Sequence, residues 1–218
     1  LEYVANILYA LIVRKMSNKA LAVLVFVAGC VLIHFAVTNP QGDLIGGWSL
    51  EPSQLRVAFT RLIYPFFAGL LLSRISKPGH IKNAFGWCSL MILGILAFPR
   101  IGGSENLWMN GLYDALSVIF LFPLIVYIGA SGEITGKYMS KICNFLSDIS
   151  YPVYIIHYPF IYIFTAWVVN HKIPMENAWP MGLLVLAASI AVSYGSLKLY
   201  DIPVRRWLSS RYLAHVNK

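Results

Sequence analysis

Residues 20–37, ALAVLVFVAGCVLIHFAV, form an apolar run without a single charged side chain. A run of this length is long enough to cross the hydrocarbon core of a bilayer as a helix. Six further apolar segments accompany it, so the sequence predicts about seven spans. Period-2 alternation is absent, which argues against a β-barrel and favours an all-α, polytopic transmembrane helix bundle. The predicted segments are Leu1–Val13, Ala20–Val37, Leu55–Leu72, Ala84–Phe98, Leu112–Ala130, Asn144–Val169 and Pro180–Tyr200.

The composition agrees with a protein covered by lipid. Hydrophobic residues make up 58% of the chain and charged residues only 12%, whereas about a quarter of an ordinary soluble domain is charged. The net charge of +8 is spread over short loops and a tail, a pattern that predicts topology control and no nucleic-acid binding. Cys30, Cys88 and Cys143 lie in or next to apolar runs, and their spacing predicts neither a metal site nor a disulfide framework.

The basic residues predict an orientation. Most of the 17 Lys and Arg residues lie in the first, third and fifth loops and in the tail, which the positive-inside rule places in the cytoplasm with the C-terminus. Residues 201–218 are predicted as a basic amphipathic cytoplasmic tail with a short interfacial helix, after a transmembrane domain of residues 1–200. The outward-facing loops are then Thr38–Gln54, Pro99–Gly111 and Asn170–Trp179.

Arg61 is the most costly side chain within the predicted spans, because a charge at membrane depth needs a partner or a function. It lies about two turns into the third span, just before Pro65, which interrupts the local helix ladder. Two interpretations stay open. Arg61 either snorkels to the interface beside a carboxylate such as Asp114, or binds an anionic or hydroxyl-rich substrate.

The sixth segment is the most polar span, in SDISYPVYIIHYPFIYIF. On a helix, Ser150, Tyr154 and His157 line one face, and Tyr151 belongs to a neighbouring face. The prolines at 152 and 159 free backbone carbonyls in the same stretch. A buried histidine is often a satisfied structural residue, but tyrosines and serines around it between two prolines make a candidate site.

Four acidic residues in or beside the apolar segments divide into two groups by the side of the membrane on which they are predicted to lie. Glu2 and Asp114 are predicted on the outer side, and Asp148 and Asp201 near inner ends. Asp148 is predicted as a first-turn acid of its helix and Asp201 as a helix cap, both structural. Motifs of soluble enzymes, such as G-x-S-x-G, a P-loop or HExxH, are absent from the sequence.

Four segments in order resemble the bacterial membrane acyltransferase family 3. Residues 1–21, LEYVANILYALIVRKMSNKAL, resemble the family's acidic residue, apolar helix and basic loop, with Glu2 as the acid. Residues 59–74, FTRLIYPFFAGLLLSR, resemble its arginine followed by phenylalanines and glycine. Residues 145–161, FLSDISYPVYIIHYPFI, resemble its late SYPxYxxHxP segment, and residues 197–211 its closing D-x-P-x-R-R-x-L.

The resemblance implies an O-acyltransferase of roughly ten helices in the bacterial inner membrane. Such an enzyme moves an acyl group, often acetyl, from acyl-CoA to an extracytoplasmic acceptor such as a carbohydrate or a lipid-linked glycan, without a bound cofactor. The chain opens without Met inside a short apolar segment, so we expect it to lack the family's first helices and its presumed catalytic histidine, and to be inactive alone.

The resemblance also implies roles for residues. Glu2 would orient the missing histidine, and His157 would line a polar seam through the bundle, which makes these two the catalytic candidates. The substrate-binding candidates are Arg61, Tyr154, Tyr151 and Ser150. No residue is predicted to bind a metal.

Two other classes of function stay open at this stage. A transporter or flippase also uses broken helices and polar residues at the midplane, although no internal repeat is visible. A seven-helix receptor or pigment would fit the helix count, but its lysine would be expected deep in the last span, whereas Lys198 lies at the inner end.

Overall fold

The computed structural model describes residues 2–11, 13–47, 49–134 and 136–213, and within them the fold is almost entirely helical. A π turn, Ser117–Leu121, joins α5 (Leu107–Leu116) to α6 (Phe122–Ala130) without a break, and a second, Leu197–Asp201, joins α8 (Met175–Ser196) to α9 (Ile202–Leu208). A third, Ser209–Leu213, follows α9. The helices are α1 (Glu2–Leu11), α2 (Asn18–Thr38), α3 (Pro52–Ile75), α4 (Ala84–Ala97), α5 (Leu107–Leu116), α6 (Phe122–Ala130), α7 (Lys137–Asn170), α8 (Met175–Ser196) and α9 (Ile202–Leu208).

The predicted helix bundle is confirmed, and every predicted apolar segment is helical in its described residues, apart from Phe98 directly after α4. Among those residues, five helical stretches are long and apolar enough to cross a membrane. The helix α4 has 14 residues and rises about 21 Å, less than the hydrocarbon core of about 30 Å. The five long stretches are Asn18–Thr38, Pro52–Ile75, Leu107–Ala130, Lys137–Asn170 and Glu176–Arg211.

The chain forms two compact units, Leu1–Ile134 (unit 1) and Thr135–Lys218 (unit 2). In unit 1, α2 packs against both α3 and α5, and α6 packs against α4 and α3. The approach of α5 to α2 is so close that a Cβ at Gly111 would collide with the carbonyl oxygen of Ala36. Because lipid gives helices no hydrophobic reason to associate, close contact through small residues is what holds such helices together.

The loops of unit 1 gather at two opposite ends. At one end, Arg74 donates from Nη1 to the carbonyl of Met16 and from Nη2 to that of Val13, both at 2.9 Å. At the same end, strand β1 (Ile81–Lys82) pairs in parallel with strand β2 (Gly132–Glu133). The loops of residues 39–51 and 98–106 meet at the other end, where Arg100 Nη1 donates to the carbonyl of Gly42 at 3.2 Å. Alternating loops therefore share an end, as the predicted topology requires.

Unit 2 is a pair of long helices, α7 and α8, with α9 as a continuation. The helix α7 has 34 residues and continues through Pro152 and Pro159. Its start at Lys137 places Asp148 about three turns into the helix, so the predicted first-turn role of Asp148 is wrong. The helix begins earlier because the polar residues before 144 extend it without needing apolar character.

The tail helix is present as α9, but Asp201 does not begin it as a cap. Asp201 has right-handed helical backbone angles inside the continuous helix and makes no side-chain cap bond. Its carboxylate instead accepts a hydrogen bond from Arg205 Nε at 2.9 Å, one turn further along the helix. The predicted cap is therefore wrong, since the π turn lets α8 run on into the tail. The predicted domain boundary at residue 200 stays a prediction.

Candidate functional site

A cavity of about 580 Å³ lies within unit 1, between α3, the end of α4 and the joined helices α5 and α6. Its apolar wall follows α3 as far as Leu72 and α6 as far as Val126. Its polar side chains are concentrated toward the end of unit 1 formed by residues 39–51 and 98–106. These polar residues are Arg61, Arg100, Asn110, Tyr113, Asp114 and Ser117.

Arg61 lies on the cavity wall with an exposed side chain. Its Nη1 donates to the carbonyl oxygen of Gly46 at 2.6 Å. Gly46 and Gly47 have φ values of +137° and +90°, a backbone conformation that favours glycine, and Gln54 Oε1 accepts from the Gly47 amide at 2.7 Å. The loop thus brings a carbonyl to the guanidinium and leaves the arginine charge uncompensated by that contact.

Asp114 is paired with a different arginine from the one predicted. Its Oδ2 lies 3.8 Å from Nη2 of Arg100, and among the described residues no ion pair joins Arg61 to an acid. Of the two interpretations of Arg61, the one that places it beside Asp114 is therefore not what the structure shows. The loop after α4 folds back over the cavity and places Arg100 next to this carboxylate, an approach that sequence distance does not reveal.

Asn110 and Tyr113 hold the wall of the cavity in place. The buried Asn110 side chain accepts from the Gly102 amide at 3.0 Å and donates to the Gly103 carbonyl at 3.2 Å. The Tyr113 hydroxyl donates to the carbonyl of Ile95 at 2.8 Å. These polar atoms are already used within the protein, so both residues are structural parts of the site.

Ser117 differs because its buried hydroxyl has no partner. The residue is 4% exposed, lines the cavity, and its Oγ makes no hydrogen bond with any described residue. It begins the π turn, where the Phe122 amide bonds back to the Ser117 carbonyl across five residues. Buried polar atoms are normally paired, and single π turns often mark functional sites in helices.

Tyr64 fastens the π turn from the facing helix. Pro123 has no amide hydrogen and therefore leaves the carbonyl of Ile119, four residues earlier, without its usual helical donor. The buried Tyr64 hydroxyl donates to that carbonyl at 3.0 Å. The sequence contained a signal for this contact, the proline in an apolar span, but the partner on α3 required the structure.

The polar face of α7 in unit 2 carries His157. Its Nδ1 lies 2.8 Å from the carbonyl of Val153, and because a carbonyl can only accept, Nδ1 carries the proton. In the neutral ring, Nε2 then keeps its lone pair. The ring centre lies 4.5 Å from that of Tyr158 and 6.2 Å from that of Tyr154.

The neighbours of His157 on α7 are either exposed at the surface or bonded to their own helix. Tyr151 and Tyr154 are 61% and 56% exposed, and the Ser150 hydroxyl donates to the carbonyl of Ser147 at 2.8 Å. The structure thus places the four predicted residues of α7 on one helix in unit 2, and Arg61 in unit 1. Glu2 lies at the start of α1, and its side chain lies outside the described residues.

The comparison with known families decides the class of protein. The family model of the acyltransferase domain, family 3, matches residues 1–198, which is most of the 218 residues. The chain belongs to acyltransferase family 3. A search of the curated proteins found no match, and neither did a search of the solved structures.

This family-3 acyltransferase is an integral membrane enzyme with two separate groups of polar side chains. Unit 1 supplies a cavity lined by the guanidinium of Arg61, and unit 2 supplies an imidazole with an available lone pair. A guanidinium can stabilise a developing oxyanion, and an imidazole can accept the proton of an attacking hydroxyl. Sequence reasoning singled out Arg61 and His157, whose roles stay predictions, and did not single out Ser117, since a serine in an apolar helix is usually satisfied by its own backbone.

Proposed function

We propose that the chain takes part in the transfer of an acyl group, acetyl in the first instance, from acyl-CoA to a hydroxyl of an extracytoplasmic carbohydrate or lipid-linked glycan. The enzyme would lie in the bacterial inner membrane, with its C-terminus in the cytoplasm and no bound cofactor. The observation that carries the proposal is the family match over residues 1–198. The same match favours acyl transfer over the transporter and receptor alternatives.

The distribution of charge supports this arrangement. The end of unit 1 near Arg74 carries basic loops, which suit a cytoplasmic face and an anionic CoA donor. The polar end of the cavity lies at the opposite end, beside the loops of residues 39–51 and 98–106. An acceptor approaching from outside would therefore enter the cavity at the end that carries Arg61 and Arg100.

The chemical step is an exchange of a thioester for an ester. The acceptor oxygen attacks the thioester carbonyl, the C–S bond breaks, and the proton of the acceptor hydroxyl passes through a general base to the departing CoA thiolate. His157 is the proposed base within this chain, because its Nε2 keeps a lone pair. Glu2 is proposed to orient catalytic groups, and Arg61, Tyr151, Tyr154 and Ser150 are proposed to bind substrate.

Acyl transfer in membranes tests these assignments. Membrane vesicles from the cell that makes the protein would receive [14C]acetyl-CoA. The base-labile label would then be counted for wild type and variants at matched protein abundance. Arg61→Ala and His157→Ala are expected to lower the rate at least about a hundredfold, the usual scale for loss of a catalytic group. Glu2→Ala is included as a third variant.

Arg61→Ala and His157→Ala each have a matched control, one in α3 and one directly after α7. Arg56 lies on α3 with its guanidinium 5.6 Å from the Phe35 ring centre, and it does not line the cavity. His171 follows α7 and holds its Nδ1 3.0 Å from the Trp167 carbonyl, as His157 does with Val153. Arg56→Ala and His171→Ala are expected to keep most of the activity. Normal transfer in Glu2→Ala, Arg61→Ala and His157→Ala would remove all three from the site.

Transport gives a different result in the same vesicles. A flippase or transporter would move a labelled solute in proteoliposomes without any acyl-CoA. Solute flux without label transfer would replace the proposed function.

A further inference from the structure

One peptide group in the loop before α3 connects the side chains of Gln54 and Arg61. Its N–H belongs to Gly47 and donates to Gln54 Oε1 at 2.7 Å. Its carbonyl belongs to Gly46 and accepts from Arg61 Nη1 at 2.6 Å. The two side chains are seven residues apart on α3, which places them on the same face of the helix about two turns apart. A rotation of this single peptide group would therefore break both hydrogen bonds at once.

Gln54 serves this loop and not the start of its own helix. The helix α3 begins at Pro52 after Glu51 as its N-cap, so Gln54 is the third helical residue. A glutamine at this position commonly reaches back to the amide of the N-cap residue. Here the side-chain oxygen instead accepts from Gly47, seven residues earlier. Capping of the helix therefore does not account for the contact, and its effect lies in the loop.

The peptide group between Gly46 and Gly47 needs this bond because glycine leaves its orientation free. The φ values of the two residues are +137° and +90°, and glycine populates positive and negative φ about equally readily. A Cβ at Gly47 would lie 2.9 Å from the Cα of Ala58, so a larger side chain cannot stiffen the loop at that position. Without Gln54, the Gly46 carbonyl is free to turn away from Arg61.

The bond to Gly46 decides which edge of the Arg61 guanidinium is available to a ligand. A guanidinium carries five N–H donors, and the bond from Nη1 is the one hydrogen bond that this group makes within the described part of the chain. The edge formed by Nε and Nη2 can therefore donate to two oxygen atoms of a ligand, the paired geometry in which arginine binds most strongly. An Arg61 released from the loop would lose this fixed presentation in the cavity.

We propose that Gln54 is a positioning residue, which acts through the peptide group of Gly46 and Gly47 to hold Arg61 with its Nε–Nη2 edge toward an oxygen-bearing group of the substrate. Gln54 itself does not line the cavity, whereas Arg61 does. That Arg61 binds a substrate of acyl transfer rests on the proposed function. The hold of Gln54 on Arg61 does not, because it depends only on hydrogen bonds within the folded chain.

Modification of Arg61 by phenylglyoxal measures this hold without any acyl donor. The reagent forms bonds to guanidinium nitrogens, so a hydrogen bond from Nη1 to a carbonyl slows the reaction. Gln54→Met keeps the length of the side chain and removes the acceptor. In lipid nanodiscs, we expect Arg61 of this variant to react about fivefold faster than in wild type, the effect of losing one neutral hydrogen bond. Mass spectrometry of peptic peptides measures the rate, with the exposed Arg56 as internal reference, and equal rates would overturn the proposal.

Two further variants separate the hydrogen bond from packing. Gln54→Glu keeps an oxygen that accepts from the Gly47 amide, and it is expected to behave like wild type in modification and in acyl transfer. Gln41→Met is the matched control, because Gln41 is exposed in the same loop and its backbone amide, at 3.3 Å from Asn39 Oδ1, makes its contact there. If Gln54→Glu behaves like Gln54→Met, the side chain acts by packing and the proposal is wrong.

Acyl transfer shows whether Gln54 acts through Arg61. In membrane vesicles supplied with [14C]acetyl-CoA, Gln54→Met alone is expected to lower the rate about tenfold. In the Arg61→Ala background, the same substitution is expected to leave the residual rate unchanged, because two residues that act as one unit are not additive. A further loss of about tenfold in that background would show that Gln54 acts without Arg61 and would overturn the proposal.

Failure of this inference and failure of the proposed function give different results. If wild type and Gln54→Met transfer equally well and Arg61 reacts at the same rate in both, the positioning role is wrong and the proposed function stands. If wild type transfers no acyl group while Gln54→Met still speeds the modification of Arg61, the proposed function is wrong and Gln54 holds Arg61 for a different ligand.

Discussion

At the residue scale, prolines and tyrosines of unit 1 work in pairs. Pro123 removes a helical donor within the joined helices α5 and α6, and Pro99 follows the end of α4. The carbonyls four residues before them, on Ile119 and Ile95, each accept a tyrosine hydroxyl. In lipid a freed carbonyl cannot turn to water, so a side chain on a neighbouring helix must satisfy it. The broken helices are thereby tied to their neighbours at the points where they line the cavity.

The first prediction concerns Tyr64. Replacing Tyr64 by Phe leaves the Ile119 carbonyl without its donor, and we expect the free energy of unfolding to fall by about 1 kcal/mol. Titration with a denaturing detergent, followed by circular dichroism, measures the change. Tyr3 is 85% exposed, so Tyr3→Phe should change nothing. Equal stability of Tyr64→Phe and wild type would show that the π turn holds without this bond.

The second prediction concerns Asn110, whose amide joins two glycines of the loop after α4. Asn110→Ala leaves the Gly102 amide and the Gly103 carbonyl unpaired, and we expect a loss of about 2 kcal/mol. Because this loop carries Arg100, the variant should also speed proteolysis after that arginine. Trypsin digestion in detergent micelles measures this, and an unchanged cleavage rate would argue against the role of Asn110.

The residues of the site were predictable only where membrane burial made them costly. Arg61 and His157 stand out in the sequence because charge and imidazole are rare in apolar spans. Ser117 and Tyr64 do not stand out. The sequence does not show that Tyr64 on the facing helix donates to the carbonyl that Pro123 leaves without a helical donor. The sequence left open whether Arg61 on α3 lies beside Asp114, and the structure places Arg100 of the loop after α4 next to this carboxylate instead.

At the element scale, helix contacts in unit 1 depend on close approach. The glycine at 111 allows α5 to touch the backbone of α2 at Ala36. Hydropathy predicted that these helices exist, because an apolar run in lipid has no other way to satisfy its backbone. It did not predict the start of α5 at Leu107, since the hydrogen bonds from Asn110 back to Gly102 and Gly103 hold the loop against the first turn of the helix.

The third prediction tests this contact. Gly111→Ala places a methyl group against the Ala36 carbonyl, and we expect the helices to separate at a cost of about 2–3 kcal/mol. Gly86→Ala is the control, because its Cβ would meet no atom within 4 Å. Detergent-induced unfolding of both variants measures the difference. A Gly111→Ala protein as stable as Gly86→Ala would show that α2 and α5 are further apart.

At the scale of the whole molecule, unit 1 has basic loops at one end and the polar part of the cavity at the other. The alternation of loops was predictable from hydropathy and charge. The cavity was not, because it depends on the way α4 and the loop after it fold back beside α3. The side of the membrane that each end faces is a prediction of the positive-inside rule.

The fourth prediction fixes this orientation. In a background without Cys30, Cys88 and Cys143, cysteine replaces either Glu105 or Lys77, both exposed loop residues. We expect a membrane-impermeant maleimide to label Glu105→Cys on intact spheroplasts, and Lys77→Cys only after permeabilisation. The reverse labelling pattern would show that the protein has the opposite orientation, with the polar end of the cavity on the cytoplasmic side.

The central claim is that the acyl group passes from a cytoplasmic donor to an acceptor on the other side of the membrane. Sealed vesicles of both orientations, given external [14C]acetyl-CoA, test it most directly. Inverted vesicles, whose cytoplasmic face is outside, should transfer base-labile label to material in their lumen, and right-side-out vesicles should transfer none. Equal labelling in both orientations, or product on the donor side, would contradict the account.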